Sequence, residues 1–333
     1  YRKTIDLRRP PLMDLRAILS RKLDQLPEGA HTHGLRAVMS HVDSAIRHLE
    51  RGQREPDETL FTDVVFRCNQ GFEGSIKEAY RVLAGQDPDR KSIHDIELFL
   101  EQGNHFRRKV LDQFKRYRQE WRNPSTHDYT LDFDEDEALL AIVSVAAFAI
   151  VLCDQIAAEL VFALAAAQPA LISAEDQRRP LLELVEDRAL SFVNSHEEPA
   201  AASNDDNRSP MRRAFEFEGA LGGFLAAELS ADEGVVVQTG VMVTPGMATR
   251  RLEADIVVTR GTERVVLELK RSQSRSVRNA KDAALGQVLH FLQVPDVTGA
   301  VVVVYSGSGV AYSASPADAP LDERVRIVSQ TPS

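Results

Sequence analysis

The chain has 333 residues, which is more than one ordinary core needs and predicts two domains of common size. Its composition, 43% hydrophobic and 27% charged, is that of a globular protein and excludes wholesale disorder. The formal net charge of −10 excludes binding of nucleic acid by the surface as a whole, so any such binding would need local basic patches or screening divalent cations.

Apolar residues recur at helical spacing over the first two-thirds of the chain. They predict four amphipathic helices, over 35–49, 60–83, 92–121 and about 132–167. Pro124 is expected to end the third, because proline lacks the N–H that a helix interior requires. Four such helices with short connections predict an all-α bundle.

The fourth of these helices is apolar on nearly all sides. It opens with an acidic run at 132–137 and then carries no charge over 138–152. A membrane-spanning helix needs about 20 apolar residues, and here Asp154, Gln155 and Glu159 interrupt the run. A buried core helix, or one half-buried in a dimer interface, is the favoured interpretation.

The cellular location expected from the sequence is the cytoplasm. The chain has only two cysteines, Cys68 and Cys153, and both lie in apolar helical patterns as reduced buried thiols would. Residues 1–11 are basic, but no apolar run follows them, so no signal peptide is predicted. No membrane partner is expected.

A polar stretch separates two regions of different pattern. After a short helix within 175–194, residues 195–210 hold no large apolar side chain and are rich in Ser, Asn, Asp and Pro. This composition predicts a linker, and hence a helical domain over 1–194 and a second domain over 211–333.

The second region alternates helices and strands. Its order is helix, three strands, helix and two strands, which predicts an α/β domain with a mixed central sheet. The expected elements are helices over 212–229 and 276–292 and strands over 235–244, 252–259, 264–270, 300–305 and 310–312. Gly261 and Thr262 predict a tight hairpin turn between the second and third strands.

Charged side chains interrupt the two strands of this hairpin. Glu268 and Lys270 face the same side of the third strand because side chains alternate, and pairing through the turn brings Asp255 of the second strand near Glu268. Two carboxylates placed in this way suit a hard divalent cation, Mg²⁺ or Mn²⁺. A lysine beside them can orient water or neutralise a phosphate.

The pattern Asp255…Glu268-x-Lys270 resembles the PD-(D/E)XK nuclease superfamily, whose fold is restriction-endonuclease-like. The resemblance covers about 211–312 and implies Mg²⁺-dependent cleavage of DNA with these three residues at the catalytic centre. It also implies a further acidic metal ligand in the preceding helix, for which Glu218 is the candidate and Glu216 the alternative.

A second element of the same resemblance lies in the helix after Lys270. The segment from Gln287 to Phe291 is similar to the Gln-x-x-x-Tyr element of RecB-like nucleases, with phenylalanine in place of tyrosine, and implies that Gln287 positions water or the strand. Ala254 stands where the family has its name-giving proline. Basic residues that follow the site are candidates for phosphate binding: Arg271, Arg275, Arg278 and Lys281.

Two alternatives stay open for this region. The first is a surface hairpin in which Glu268 and Lys270 or Arg271 form an ordinary ion pair, which contributes almost nothing to stability. The second is a degenerate nuclease fold that binds nucleic acid without cutting it.

Arg122 and His127 form an R-x4-H motif at the end of the third predicted helix. The motif resembles that of HEPN domains, and the resemblance covers about 32–168 and implies a metal-independent ribonuclease that dimerises through its helices. His127 would handle the proton of the 2′-hydroxyl, Arg122 would hold the phosphate and Asn123 would add a hydrogen bond.

The basic stretch 107–122 precedes this motif and predicts a stripe that faces RNA, with Lys115 and Arg118 as members. The alternative is a structural role, in which the positive charge of Arg122 interacts favourably with the dipole at the C-terminal end of a helix and His127 is an ordinary loop histidine. Many HEPN domains are also inert or regulatory partners.

Together these patterns predict a two-domain nuclease that acts on DNA, RNA or both, forms a homodimer through the helical domain and serves in prokaryotic phage defence or as a toxin. One alternative makes the helical domain the only catalyst. Another is a non-catalytic subunit that binds nucleic acid and dimerises through the helical domain.

Overall fold

The structure, a computed structural model, divides the chain into two compact units. The first comprises Tyr1–Gly103 and Lys109–Cys153, and the second comprises Asn104–Arg108 and Asp154–Ser333. The residues that it describes are 14–55, 57–102, 105–127, 130–168, 176–196, 208–230, 232, 234–243, 252–272, 277–306, 311–316 and 322–331.

The first unit is built from helices, as predicted. In chain order these are α1 (Leu15–Asp24), α2 (Ala30–Gly52), α3 (Thr59–Leu83), α4 (Ile93–Gln102), α5 (Arg108–Tyr117), a π-helical turn (Arg118–Arg122), α6 (Asn123–His127) and α7 (Glu135–Ala166) as far as Cys153. Aromatic side chains fill the core: the ring centroid of Phe72 lies 4.6 Å from that of Tyr117, 5.6 Å from Phe114 and 5.3 Å from Phe148. α1 was not predicted from the sequence.

The third predicted helix is wrong as a single element. It is divided into α4 and α5, and the turn after α5 is π-helical. Pro124 does not end the helical path, because it lies in the first turn of α6, where a missing N–H breaks no helical hydrogen bond. Helix periodicity spans such interruptions, since the apolar face resumes in phase on either side of them.

α7 is, within the described ranges, the one helix whose length and composition would let it cross a membrane. Most of its apolar stretch is buried inside the structure, as in the core helix of a soluble protein. This burial agrees with the core helix that the sequence predicts here.

The second unit contains a mixed, open, six-stranded sheet, which confirms the predicted sheet. Its helices are the part of α7 from Asp154, α8 (Leu181–Ser195), α9 (Pro210–Glu228) and α10 (Val277–Phe291). Its strands are β1 (Val235–Val243), β2 (Leu252–Arg260), β3 (Glu263–Arg271), β4 (Gly299–Tyr305), β5 (Tyr312–Pro316) and β6 (Val325–Gln330). The order is β1-β2-β3-β4-β6-β5, with β3, β4 and β6 parallel and the other neighbours antiparallel.

Both faces of the sheet are covered by helices. α8 and α9 pack on one face, where Leu184, Leu221 and Ile256 belong to one core, and α10 packs on the other through Val288 and Phe291. β4, which the sequence predicts as a strand over 300–305, is fully buried and receives helices on both faces. β6 was not predicted, because its short pattern lies between polar segments near the end of the chain.

The observed units differ from the predicted domains. The chain divides between Cys153 and Asp154, inside α7, instead of at 194, because α8 packs on the sheet and so belongs to the second unit. Of the predicted linker, residues 197–207 lie outside the described part of the chain.

Glycines let α9 lie close to α7 within the second unit. A Cβ on Gly223 would come within 2.3 Å of the carbonyl oxygen of Phe162, and one on Gly219 within 2.3 Å of that of Ala158. Both clashes are with backbone, which cannot rotate away. By contrast, a Cβ on Gly286 in α10 would meet nothing within 4 Å.

We therefore expect Gly223→Ala to lower the free energy of unfolding by about 1–3 kcal/mol, because the two helices must move apart. Gly286→Ala is the matched control and should raise it by up to about 1 kcal/mol, because alanine favours an open helical position. Urea denaturation followed by circular dichroism measures both changes. Equal effects of the two substitutions would contradict the close packing.

Candidate active site

The β2–β3 hairpin positions the candidate residues of the second unit. Its turn is at Gly261, whose φ of 58° favours glycine, as predicted from the sequence. The two strands stay paired from Arg260↔Glu263 to Ile256↔Leu267. Beyond that pair β3 continues beside β4 as far as Arg271↔Tyr305. Asp255, which precedes Ile256 in β2, is the first residue beyond the part of β2 that pairs with β3.

The structure brings Asp255, Glu268 and Lys270 together at this point. An oxygen of the Asp255 carboxylate accepts a hydrogen bond of 2.6 Å from the backbone N–H of Leu269, in the place of a strand partner. Lys270 Nζ donates to Glu268 Oε1. Glu268 is 0% exposed, and its Oε2 has no hydrogen-bond partner among the described residues. The predicted convergence of two carboxylates and an ammonium group is therefore present.

Burial dominates the electrostatics of these carboxylates. It raises the pKa of Glu268 to about 8, and the Asp255 carboxylate adds to the rise while Lys270 opposes it. Burial also raises the pKa of Asp255, against the Leu269 N–H and the Lys270 charge. A site that holds carboxylates at such a cost favours the arrival of a cation.

The third predicted acidic residue, Glu218 of α9, belongs to the same cluster but is already paired. Its Oε2 lies 2.5 Å from a guanidinium nitrogen of Arg107, and both side chains are about 5% exposed. Burial raises the pKa of Glu218 to about 8, although Arg107 opposes the rise, and the charge of Asp255 contributes to it. Glu218 Oε1 has no hydrogen-bond partner among the described residues.

Arg107 is the site residue that the sequence did not reveal. It was counted in the RNA-facing stripe, whereas the structure buries it beside Glu218 in the second unit. Its backbone N–H donates to Gln155 Oε1 at 3.2 Å, and its guanidinium carbon lies 4.1 Å from the centre of the Phe215 ring. The pair is separated by 111 positions, so no local pattern signals it.

Two further backbone features frame the cluster. Gly240 of β1 has a φ of 61°, and a Cβ there would meet Arg107 Cγ at 2.9 Å, so the glycine leaves room for the arginine. Glu253 of β2 accepts a hydrogen bond of 3.1 Å from the Arg108 N–H, and its charge acts on Glu268, Glu218 and Arg107.

The remaining predicted residues of this region occupy different places. The alternative acidic residue Glu216 is held by Arg212 at 2.6 Å and by Arg208 at 3.0 Å. Gln287 is half-buried on α10, the helix that covers the Glu268 face of the sheet. Arg271 is the last residue of β3. Arg278 and Lys281 lie on α10, and Arg278 is exposed to solvent. Arg275 lies outside the described residues.

The donor set fits a divalent cation at Asp255 and Glu268. Two acidic oxygens suffice for Mg²⁺, which usually binds one or two carboxylates and completes its shell with water and phosphate. The orphaned, buried Glu268 Oε2 is the atom that such an ion would satisfy. In the described ranges no group of three or more His, Cys, Asp or Glu side chains is placed to hold a metal ion.

The motif of the first unit begins in the π-helical turn. Arg122 ends this turn, and π-helical turns are frequent at functional sites. Arg122 Nε lies 4.0 Å from Glu97 Oε1 of α4, and neither atom has a hydrogen-bond partner among the described residues. Its Nη1 donates to Asn123 Oδ1 at 3.2 Å. Glu97 is buried, and burial raises its pKa, while Arg122 and Arg118 oppose the rise.

A hydrogen-bond chain that is partly buried fixes the helix that carries His127. The Tyr117 hydroxyl donates to Asn69 Oδ1 at 3.0 Å, and Asn69 Nδ2 donates to Ser125 Oγ of α6 at 2.7 Å. His127 is the last residue of α6, and its side chain is outside the described part of the chain.

Acidic side chains neutralise much of the predicted RNA-facing stripe. Lys115 lies 3.2 Å and Arg118 2.7 Å from Glu101 of α4, and Arg116 pairs with Glu120 at 3.2 Å. Glu101, which pairs with two of these basic residues, comes from a neighbouring helix, so a count of charges along one helix overestimates the positive charge of the surface.

In comparisons with known proteins, no family model, no curated protein and no solved structure matches this chain. The resemblances to PD-(D/E)XK nucleases and HEPN domains therefore stay predictions.

The raised pKa of Glu268 predicts a pH dependence of stability. The folded protein holds this proton more tightly than the unfolded chain, whose glutamates titrate near pH ~4.3. The contribution of Glu268 to stability is therefore fully present below about pH 4 and is lost as pH rises through about 8.

We expect the melting temperature of the metal-free protein to fall as pH rises from about 6 to about 9, and Mg²⁺ to restore it most at the alkaline end. Glu268→Gln keeps the shape but removes the titrating group, so its melting temperature should fall less. Differential scanning fluorimetry provides the measurement. An identical fall in the variant would exclude Glu268 as the cause.

Proposed function

We propose that the second unit is a Mg²⁺-dependent nuclease that hydrolyses phosphodiester bonds in DNA. The observation that carries the proposal is the convergence of Asp255, Glu268 and Lys270 at the point where β2 and β3 cease to pair. Charged groups are expensive within apolar strands, and a structural role for this hairpin would require none of them there.

Each residue has a role that follows from its position. Asp255 and Glu268 would hold the cation, and Asp255 is oriented by the Leu269 N–H. The cation, when bound, would polarise the phosphate and lower the pKa of water. Lys270, whose side chain is 33% exposed, lies close enough to solvent to orient a water or to neutralise a phosphate oxygen. Gln287 would position the water or the strand.

The exposed Arg278 on α10 supports binding of the strand near this site. With Arg271 and Lys281 it would supply the local positive charge that a chain of net charge −10 requires. The metal-bound cluster itself would add the remaining attraction for phosphate.

Asp255→Asn and Lys270→Met should each lower Mg²⁺-dependent DNA cleavage by at least about a hundredfold, the scale of losing one electrostatic contributor to the transition state. Cleavage of a labelled plasmid and of a labelled oligonucleotide, with Mg²⁺ and with EDTA, measures this. Lys91→Met, which removes an exposed lysine outside any proposed site, is the charge-matched control and should keep full activity. Undiminished cleavage by both site variants would remove the assignment.

A second candidate function is metal-independent cleavage of RNA by the first unit. It is favoured by the π-helical turn, which holds Arg122 beside the buried Glu97, and by the hydrogen-bond chain that fixes α6 through Ser125. Arg122 would hold the scissile phosphate, and His127 would take the 2′-hydroxyl proton. The paired state of Lys115 and Arg118 implies that RNA must displace Glu101 to use them.

His127→Ala should remove any RNA cleavage that persists in EDTA, because no other side chain of the motif titrates near neutral pH. Electrophoresis of labelled RNA after incubation in EDTA measures the loss. His94→Ala, on the neighbouring α4, serves as the histidine control and should cleave as the wild type does. EDTA-resistant cleavage that survives in His127→Ala would exclude this role.

The third candidate is a non-catalytic subunit that binds nucleic acid and forms a homodimer through the helical unit. Apolar side chains exposed on that unit favour a dimer, since they would be buried against a second copy: Phe66, Leu139, Leu140 and Val143. Absence of cleavage with Mg²⁺ and with EDTA, together with retained binding, would favour this candidate. A cytoplasmic role in phage defence or as a toxin is proposed for any of the three.

A further inference from the structure

Arg107 is buried within the acidic cluster and pairs with one of its carboxylates. Its guanidinium lies 2.5 Å from Glu218 Oε2, and the charges of Glu253 and Asp255 also act on it. A buried arginine that pairs with one carboxylate and faces two more serves the same electrostatic purpose as a bound ion.

We infer that Arg107 is a positioning residue that keeps Glu218 from ligating metal, so that the second unit binds a single divalent cation between Asp255 and Glu268. The inference rests on the proposed metal-dependent activity and names how its site is composed. It departs from the set of three acidic ligands that the family resemblance implies, because the third carboxylate, that of Glu218, is paired with Arg107.

Glu218 and Glu268 each keep one carboxylate oxygen without a hydrogen-bond partner among the described residues, Oε1 and Oε2 respectively. Their other oxygens are paired, with Arg107 and with Lys270. The two cationic partners differ in burial, because the side chain of Lys270 is 33% exposed whereas that of Arg107 is 5% exposed. Lys270 can therefore move into solvent when a cation binds Glu268, whereas Arg107 cannot leave Glu218 in the same way.

The packing around Arg107 holds it in this role. The side chain is 5% exposed, the Phe215 ring lies under its guanidinium, and the positive-φ Gly240 leaves space for its aliphatic part. Gln155 binds the segment at two points, accepting from the Arg107 N–H and donating to the His105 carbonyl oxygen at 2.5 Å. Release of Glu218 would require this whole segment to move.

Mn²⁺ binding to the full chain without nucleic acid tests the inference, because it counts ions independently of activity. Isothermal titration calorimetry and the electron paramagnetic resonance signal of Mn²⁺ should give one ion per wild-type chain. Glu218→Gln, whose amide oxygen can still accept from Arg107, should keep one ion at nearly wild-type affinity. Asp255→Asn should lower the affinity by more than about tenfold.

Variants of Arg107 complete the design. Arg107→Met frees Glu218 and should add a second Mn²⁺ per chain, whereas Arg107→Lys keeps the charge and should bind one. Lys109→Met is the matched control for the loss of one positive charge and should bind one ion as well. If Arg107→Met fails to fold, the comparison of Glu218→Gln with Asp255→Asn decides by itself.

The outcomes separate this inference from the proposed function. Two ions per wild-type chain, or a loss of affinity in Glu218→Gln as large as that in Asp255→Asn, would overturn the role of Arg107 and leave the nuclease proposal in place. Failure of the wild-type chain to bind Mn²⁺ at all would overturn both.

Discussion

The burial of carboxylates at the end of the β2–β3 hairpin is the constraint on which the rest of the second unit depends. Glu268 is 0% exposed, and it lies between Leu267 and Leu269 in β3 and opposite Val302 in β4. A buried charge without a partner is costly. The unit meets that cost with Lys270 beside Glu268, with a backbone N–H on Asp255 and with an arginine on Glu218. Among the described residues Glu268 Oε2 and Glu218 Oε1 have no hydrogen-bond partner, and these two buried acidic oxygens are the strongest physical argument that a cation belongs there.

Departures from regular structure coincide with the candidate sites in both units. In the sheet, pairing of β2 with β3 stops at Ile256↔Leu267, and β1 takes a positive φ at Gly240. In the helical unit, α5 passes into a π-helical turn that ends at Arg122. The Tyr117–Asn69–Ser125 hydrogen-bond chain links the residue before the π-helical turn to the helix after it, and Gly240 leaves room for Arg107 next to Glu218.

The two sites differ in how their charges are compensated. In the second unit negative charge exceeds positive charge inside the cluster, which suits a divalent cation. In the first unit Lys115 and Arg118 share Glu101 of α4, and Arg122 lies 4.0 Å from Glu97 of the same helix, so that acidic side chains offset part of the positive charge near Arg122. A ligand of the first site must therefore compete with Glu101 and Glu97 for the basic side chains. A cation bound at the second site would instead supply positive charge that the carboxylates lack.

The sequence by itself determined the elements whose signals are local. The helical first part, the hairpin turn at Gly261, β4 as a strand and the Asp255, Glu268 and Lys270 trio were all predicted in this way. Strand alternation and one tight turn are enough to bring those three side chains together. Tertiary structure alone decided the division of the third predicted helix, the packing of α8 on the sheet and the burial of Arg107 beside Glu218. These features depend on partners far away in the chain, and periodicity carries no information about which distant side chain will satisfy a buried charge.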